Sequence, residues 1–198
     1  MSEGVAGPTD ATSLPPAPRV VVVIHPYRIG SIIGLVGATV FVLVNRGALP
    51  GAWSAGALVG YLVALAFYVW AVWVRPASSL PAGQPPRRYA GLVYLASVAG
   101  MLLVFALGRL VLAQADREEL MPALVAAGVG LHLVPFAAAF RAPVFLTLGW
   151  LLAAIGLVGL LVGWLGAGAV AAAAAAVVAG VVMLVVMGAG ALTGGRRA

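Results

Sequence analysis

Hydrophobic positions along this chain form six long runs, separated by short segments that contain arginine, proline or acidic residues. Polar and apolar residues do not alternate within the runs, so the pattern excludes the strands of a membrane barrel and predicts helices. A helix needs roughly 20 apolar residues to cross the hydrocarbon core of a bilayer. The runs therefore predict an all-α membrane bundle with six transmembrane helices. These cover residues 29–44, 52–74, 90–113, 121–140, 144–165 and 169–192.

The segments outside this transmembrane domain, residues 29–192, are more polar. Residues 1–18 are small, polar and proline-rich and lack the basic start and apolar core of a secretory signal, so they predict a disordered cytoplasmic tail. In residues 19–28, only five apolar residues lie between Arg19 and His25, too few to cross a bilayer. We expect this segment to lie at the membrane surface and residues 193–198 to form a cytoplasmic C-terminal tail.

The composition is typical of a membrane protein. The residues are 64% hydrophobic and 8% charged, and the mean hydropathy is +1.14, whereas about a quarter of the residues in a soluble domain are charged. The net charge of +6 does not indicate nucleic acid, because the arginines lie between apolar runs rather than along a basic stripe with stacking aromatics. The lipid bilayer is the partner that this composition predicts.

The positions of the arginines predict the orientation in the membrane. With six helices, most of the arginines fall on one side of the membrane, namely Arg19, Arg28, Arg75, Arg87, Arg88, Arg141, Arg196 and Arg197. The positive-inside rule places that side, and with it both termini, in the cytoplasm. The acidic segment DREE, residues 116–119, then faces outward. We expect a multi-pass protein of the inner (cytoplasmic) membrane.

Small residues recur at the four- and seven-residue spacings that let transmembrane helices approach closely. They lie in the first, second and fifth predicted helices, and the predicted packing residues are Gly30, Gly34, Ala38, Gly56, Gly60, Ala64, Gly149, Gly156 and Gly163. Stripes of this kind also mediate contacts between chains. A homo-oligomer and a larger membrane complex are therefore the two kinds of assembly that the stripes allow.

Few residues in the chain could carry catalytic chemistry. No Asp or Glu lies within a predicted span, cysteine and lysine are absent, and His25 and His132 are the two histidines. This set excludes thiol catalysis and a retinal Schiff base, and it offers no cluster that could hold iron or zinc. No serine has the surroundings that an intramembrane protease needs. We expect no catalytic residue, no metal and no cofactor, and hence no enzyme.

The fourth predicted helix contains a histidine within the apolar run GVGLHLVPFAAAF, residues 128–140. Counted from Pro122 at about 1.5 Å per residue, His132 lies about 15 Å deep, close to the bilayer midplane. The hydroxyls of Thr39 and Tyr61 come to a similar depth on the same scale. An ionisable residue at this depth suggests a functional site, so we hypothesise that His132, Tyr61 and Thr39 line a small cavity that binds a solute or water.

A structural role for His132 is the alternative. The ring would then bond a hydroxyl, or a backbone carbonyl of its own helix, and simply join the bundle together, as interhelical polar bonds commonly do. Pro135 lacks an N–H and so frees one carbonyl close to the ring.

Three functional classes follow from these observations. The first is a small carrier or permeation protein for a neutral or apolar solute, and the second is an accessory subunit that packs against a larger membrane complex. An enzyme is the least favoured. The segments HPYRIGSIIG and GLHLVPFA resemble those of small multi-pass membrane proteins of high-GC bacteria, a group to which no activity is attached. This resemblance implies no functional residue.

Overall fold

The computed structural model describes residues 25–81 and 84–193. Within these ranges the chain is all-α and contains no β-strand, which confirms the predicted class. Its helices are α1 Pro26–Asn45, α2 Gly51–Val69, α3 Ala90–Gln114, α4 Met121–Phe140, α5 Pro143–Val162 and α6 Gly168–Leu192. The predicted N-terminal tail, residues 19–24 of the predicted surface segment and residues 194–198 lie outside the described residues.

The ends of the helices follow local chemistry. α1 begins three residues earlier than predicted because Pro26 occupies its first turn and His25 caps it, its Nδ1 accepting a hydrogen bond of 3.3 Å from the Tyr27 N–H. Two π-helical turns, Trp70–Val74 and Gly163–Ala167, follow α2 and α5. The predicted second helix, residues 52–74, therefore corresponds to α2 and its π turn together.

Among the described residues, five helical stretches are long and apolar enough to cross a membrane. They are Tyr27–Ala48, Gly51–Val74, Ala90–Gln114, Glu118–Phe140 and Pro143–Leu192. The last of these is not one straight rod, since Gly166 and Gly168 have φ angles of 129° and 49°, which glycine adopts without steric cost. A Cβ at Gly159 would touch the Ala175 methyl, and one at Gly190 would lie 2.7 Å from Val144 Cγ2. α5 and α6 therefore form an antiparallel hairpin.

α6 lies at the centre of the bundle and packs against α1, α2, α4 and α5. Most of its buried residues are alanine or glycine, and such small side chains let several helices approach one axis. α3 lies at the periphery and packs mainly on α4. Ala90 and Leu112 are its buried residues, and its other leucines are exposed.

Most of the small residues predicted for packing contact a neighbouring helix or are buried. In α5, a Cβ at Gly156 would lie 2.7 Å from the Ala123 carbonyl oxygen of α4, and one at Gly149 would lie 2.8 Å from the Gly130 carbonyl oxygen. Gly34 meets the Met187 side chain of α6. Gly30 likewise meets Phe145, and Gly163 meets Leu120. Ala38 and Ala64 are buried.

Gly56 and Gly60 have different surroundings. A Cβ built at either position would meet no atom within 4 Å. Further along α2, Gly188 of α6 approaches the Phe67 ring so closely that a Cβ there would lie 2.9 Å from Phe67 Cδ1. α2 thus contacts α6 closely near its C-terminal end, while Gly56 and Gly60 face open space nearer its N-terminal end.

The two ends of the bundle differ in charge. One end, called here the arginine-rich end, carries Arg28, Arg75, Arg87, Arg88 and Arg141. The other, called here the acidic end, carries Asp116, Glu118 and Glu119 together with Arg46 and Arg117. At the arginine-rich end, Arg28 Nη2 lies 3.2 Å from the Arg75 carbonyl oxygen and the Arg87 N–H donates to the Ala139 carbonyl at 2.9 Å.

Candidate functional site

His132 connects α4 to α3 rather than to α1 or α2. Its Nδ1 lies 3.0 Å from Ser97 Oγ, and the Ser97 hydroxyl lies 2.9 Å from the Tyr94 carbonyl oxygen. Which atom donates in the bond between Ser97 and His132 depends on the tautomer of the imidazole.

Aromatic rings surround this histidine on the side toward the arginine-rich end. The ring centroids of Tyr94 and Phe136 lie 6.2 and 6.3 Å from that of His132. Phe136 in turn stacks on Phe140 at 4.4 Å and meets the edge of Phe145 at 5.2 Å, both favourable aromatic arrangements. The histidine thus lies at the inner end of an aromatic strip, defined by Tyr94, Phe136 and Phe140, between α3 and α4.

Thr39 and Tyr61 form a separate pair between α1 and α2. Their hydroxyl oxygens lie 2.9 Å apart, and the Thr39 hydroxyl also lies 2.8 Å from the Leu35 carbonyl oxygen. Thr39 therefore donates to Leu35 and accepts from Tyr61, so both polar groups are satisfied within the pair. Among the described residues, no hydrogen bond joins His132 to Thr39 or Tyr61. The structure brings two of the three predicted ligand-binding residues together and places the third elsewhere, and ligand binding by them stays a prediction.

A second polar network lies near the arginine-rich end and was not anticipated from the sequence. Ser31 and Tyr68 are 1% and 0% exposed, and their side-chain oxygens are 2.8 Å apart. The Ser31 hydroxyl donates to the Arg28 carbonyl at 2.8 Å, and the Trp73 indole N–H donates to the Tyr68 hydroxyl oxygen at 3.3 Å. A comparison of membrane depths along the predicted helices could have suggested this network. Ser31 lies near the start of α1 and Tyr68 near the end of α2, so both lie at the same end of the bundle.

The Arg28 guanidinium binds backbone carbonyls at the end of the π turn that follows α2. Its Nε donates to the Val72 carbonyl at 3.1 Å, its Nη2 lies 3.2 Å from the Arg75 carbonyl oxygen, and its Cζ lies 5.4 Å from the Trp73 ring centroid. The last carbonyls of a helix have no partner within the helix and attract cations. Arg75 donates in the same way to the Ala191 carbonyl near the end of α6.

Two hollows open on the surface of the bundle. An apolar groove of about 470 Å³ lies between α2 and α6 and is lined by Leu49, Ala52, Trp53, Gly56, Ala57, Ala174, Val177 and Val178. A polar hollow of about 370 Å³ at the acidic end is lined by Ala113, Asp116, Glu118 and Glu119. Beside it, Arg117 pairs with Glu119 at 3.6 Å and lies over the Trp164 ring. Residues 25–81 and 84–193 contain no group of three or more His, Cys, Asp or Glu that could hold a metal ion.

These features define the class of protein. It is a helical membrane protein with several candidate spans, and in the part of the chain that the structure describes every buried side-chain nitrogen and oxygen has a hydrogen-bond partner. No protein-family model, curated protein or solved structure matches the chain. The geometry of its own residues is therefore the basis for a functional proposal.

Proposed function

We propose that this protein binds an apolar molecule in the groove between α2 and α6 and acts as a small carrier or permeation protein for an apolar solute. The groove is the observation that carries this proposal. Its volume of about 470 Å³ falls within the range of small-molecule sites, roughly 300–1,000 Å³. Its lining residues are all apolar.

Glycine and alanine create the space in this groove. A Cβ at Gly56 meets no atom within 4 Å, and Ala52, Ala57 and Ala174 contribute single methyl groups. Trp53, 70% exposed, lies at the rim, and tryptophan prefers the interface between hydrocarbon and headgroups. An elongated apolar molecule could therefore enter sideways from the bilayer with one end near the acidic end of the bundle.

The pairing of the interior hydroxyls favours an apolar solute over a polar one. Thr39 and Tyr61 satisfy each other, and His132 is bonded to Ser97. A polar solute would have to break these bonds at membrane depth, where an unpaired polar group is costly. An apolar solute in the groove leaves all of them intact.

The proposal includes six membrane crossings with both termini in the cytoplasm, in the inner membrane. Two contacts at different depths show that α1 and α2 run antiparallel, since Thr39 pairs with Tyr61 and Ser31 with Tyr68. Pairs of contacts at different depths show the same for α3 with α4, α4 with α5, and α5 with α6. The α5–α6 hairpin supplies the sixth crossing. The arginine-rich end would then be cytoplasmic by the positive-inside rule.

Photo-crosslinking with a diazirine-labelled fatty acid tests the groove. The protein is reconstituted in nanodiscs, irradiated and digested, and the labelled peptides are identified by mass spectrometry. We expect labelling of residues 49–57 and 174–178 that saturates with probe and falls when unlabelled fatty acid is added in excess. Labelling that increases linearly and resists competition, as at any lipid-exposed surface, would contradict the proposal.

A matched pair of variants separates occupation of the groove from general effects. Gly56→Phe fills the groove, whereas Gly100→Phe adds the same side chain to the exposed surface of α3, where a Cβ also meets no atom within 4 Å. We expect Gly56→Phe to abolish the saturable labelling and Gly100→Phe to preserve it. Equal labelling of both variants would show that the groove is not the site.

An accessory subunit is the second candidate, favoured by the open surroundings of Gly56 and Gly60 on α2. A helix of a partner could use this small-residue surface as helices within the bundle use theirs. Purification in mild detergent distinguishes the candidates. A stoichiometric partner that crosslinks to a cysteine at Gly60 would establish the subunit, and a preparation of this chain alone with saturable fatty-acid labelling would establish the carrier.

A further inference from the structure

Three exposed arginines lie on the adjoining segments where α3 begins and α4 ends. The Arg87 N–H donates to the Ala139 carbonyl of α4 at 2.9 Å, which fixes the segment before α3 beside the last turn of α4. Arg88 follows directly, and Arg141 lies two residues beyond Ala139 with a φ of 52°, where the chain leaves the helix. All three arginines are exposed.

These arginines differ from the other two at the same end. Arg28 and Arg75 direct their guanidinium groups to backbone carbonyls. Within residues 25–81 and 84–193, the side chains of Arg87, Arg88 and Arg141 form neither a salt bridge nor a hydrogen bond, although Arg88 lies over the Tyr89 ring at 5.2 Å. The described carboxylates lie at the acidic end, across the bundle. This group of three, called here the arginine triad, is therefore available to an external anion.

The aromatic strip begins directly beneath the triad. Phe140 precedes Arg141 in the chain and stacks on Phe136, whose ring centroid lies 6.1 Å from that of Tyr94 on α3. Tyr94 is 42% exposed, so the strip is accessible from the side of the bundle. Its apolar surface continues toward His132, eight residues or about 12 Å deeper along α4.

We infer that the arginine triad and the aromatic strip form a binding site for one anionic phospholipid, separate from the groove between α2 and α6. The phosphate would lie among the three guanidinium groups, which suit phosphate geometry better than an ammonium group does. One acyl chain would run along Phe140, Phe136 and Tyr94. Charge complementarity selects the anionic headgroup, and the apolar strip beneath it selects a lipid over a free phosphate compound.

Native mass spectrometry with lipid titration tests this site in the full-length protein. We expect one phosphatidylglycerol to be retained per chain, and phosphatidylcholine to be retained much more weakly. Each arginine near a membrane surface contributes a factor of about five to the affinity for an anionic lipid. The double variant Arg88→Gln/Arg141→Gln should therefore bind phosphatidylglycerol about 30-fold more weakly.

The charge-matched control is Arg46→Gln/Arg109→Gln, which removes two arginines from outside the triad. We expect it, and the groove variant Gly56→Phe, to retain phosphatidylglycerol like the wild type. Equal losses in the two double variants would show that only net charge matters and would overturn the site. If Arg88→Gln/Arg141→Gln does not fold, the single variants serve instead, each with an expected loss of about fivefold.

A competition experiment separates lipid from free phosphate. Glycerol 3-phosphate shares the headgroup chemistry but has no acyl chain to lie along the aromatic strip. We expect millimolar glycerol 3-phosphate to leave the bound phosphatidylglycerol in place. Full displacement would show that the triad is a simple anion site, and the lipid assignment would be wrong.

Discussion

Tyr68 shows how a polar side chain is accommodated deep inside this bundle. It is 0% exposed, yet its hydroxyl donates to Ser31 and accepts from the Trp73 indole. The Ser31 hydroxyl donates to the Arg28 carbonyl. Each donor in this network has one acceptor, so no polar hydrogen is left unpaired at a site closed to water.

Removing the Tyr68 hydroxyl should weaken the junction between α1 and α2. In Tyr68→Phe, Ser31 loses a donor and the Trp73 N–H loses its acceptor. Interhelical hydrogen bonds in membrane proteins contribute about 0.6 kcal/mol on average and at most about 1.7 kcal/mol, so we expect destabilisation in this range by SDS titration of the purified protein. Tyr89→Phe, at an exposed ring, is the control and should unfold like the wild type. Equal stability of both variants would mean that the network contributes nothing.

At the scale of the helices, the sequence is sufficient to predict where each one lies. α4 covers Met121–Phe140 as predicted, because Pro122 and Arg141 mark the two ends of an apolar run in which His132 is the one polar side chain. The difference at the start of α1 arises from His25, whose capping role is a side-chain geometry that hydropathy does not encode. The apolar runs and the charged residues between them thus predict the helices, whereas capping side chains decide at which residue a helix begins.

Which helices pack together could not be predicted in the same way. Glycine and alanine are so abundant that most helices offer a plausible small-residue stripe. The four-residue spacing of Gly56 and Gly60 is like that of Gly30 and Gly34, yet only Gly30 and Gly34 face another element of the chain. The difference depends on how α2 lies against α6, which is a property of the whole bundle.

A single methyl group should distinguish these two kinds of glycine. In Gly156→Ala, the new Cβ would lie 2.7 Å from the Ala123 carbonyl oxygen and 2.7 Å from Ala127 Cα, both backbone atoms of α4 that cannot move aside independently. We expect α4 and α5 to separate slightly at a cost of about 1–3 kcal/mol, measured as a lower melting temperature in detergent.

The matched control is Gly60→Ala on α2. Its Cβ meets no atom within 4 Å, and alanine is the better helix former in water by about 1 kcal/mol, so we expect no loss of stability. A loss as large as that of Gly156→Ala would indicate that another chain covers α2.

α3 packs mainly on α4, and the bond between His132 and Ser97 joins these two helices. The sequence placed His132 at a depth shared by several hydroxyls, but depth does not reveal which helix is adjacent. Ser97 lies seven residues into α3, about 10 Å from the arginine-rich end, and so meets the same depth criterion as Thr39 and Tyr61. The sequence does not show that α3, rather than α1 or α2, packs beside the part of α4 that contains His132.

A double-mutant cycle measures this bond directly. We expect Ser97→Ala and His132→Leu each to lower stability, and the double variant to be less destabilised than the sum by about 0.6 kcal/mol. Additive effects would show that the two side chains do not interact. Stability in detergent is the measurement, and the pair Thr39→Val and Ser97→Ala, on different hydrogen-bonded pairs, should be additive and serves as the control.

At the scale of the whole molecule, the two ends of the bundle differ in their number of arginines, and this difference predicts the orientation in the membrane. The arginine-rich end holds Arg28, Arg75 and the arginine triad, whereas the acidic end holds Asp116, Glu118 and Glu119 beside Arg46 and Arg117. Arginine near the ends of spans favours the cytoplasmic side, and acidic residues have little influence. The excess of arginine at the arginine-rich end therefore predicts that this end is cytoplasmic.

Cysteine labelling in intact cells tests that orientation, because the native chain contains no cysteine. Ser78, exposed in the connection between α2 and α3, and Glu118, exposed at the acidic end, are each replaced by cysteine. We expect a membrane-impermeant maleimide to label Glu118→Cys in intact cells and to label Ser78→Cys only after permeabilisation. Since both positions are exposed, a difference between them reports the side of the membrane rather than burial. The reverse pattern would invert the topology, and labelling of both positions in intact cells would exclude a crossing arrangement that separates the two ends.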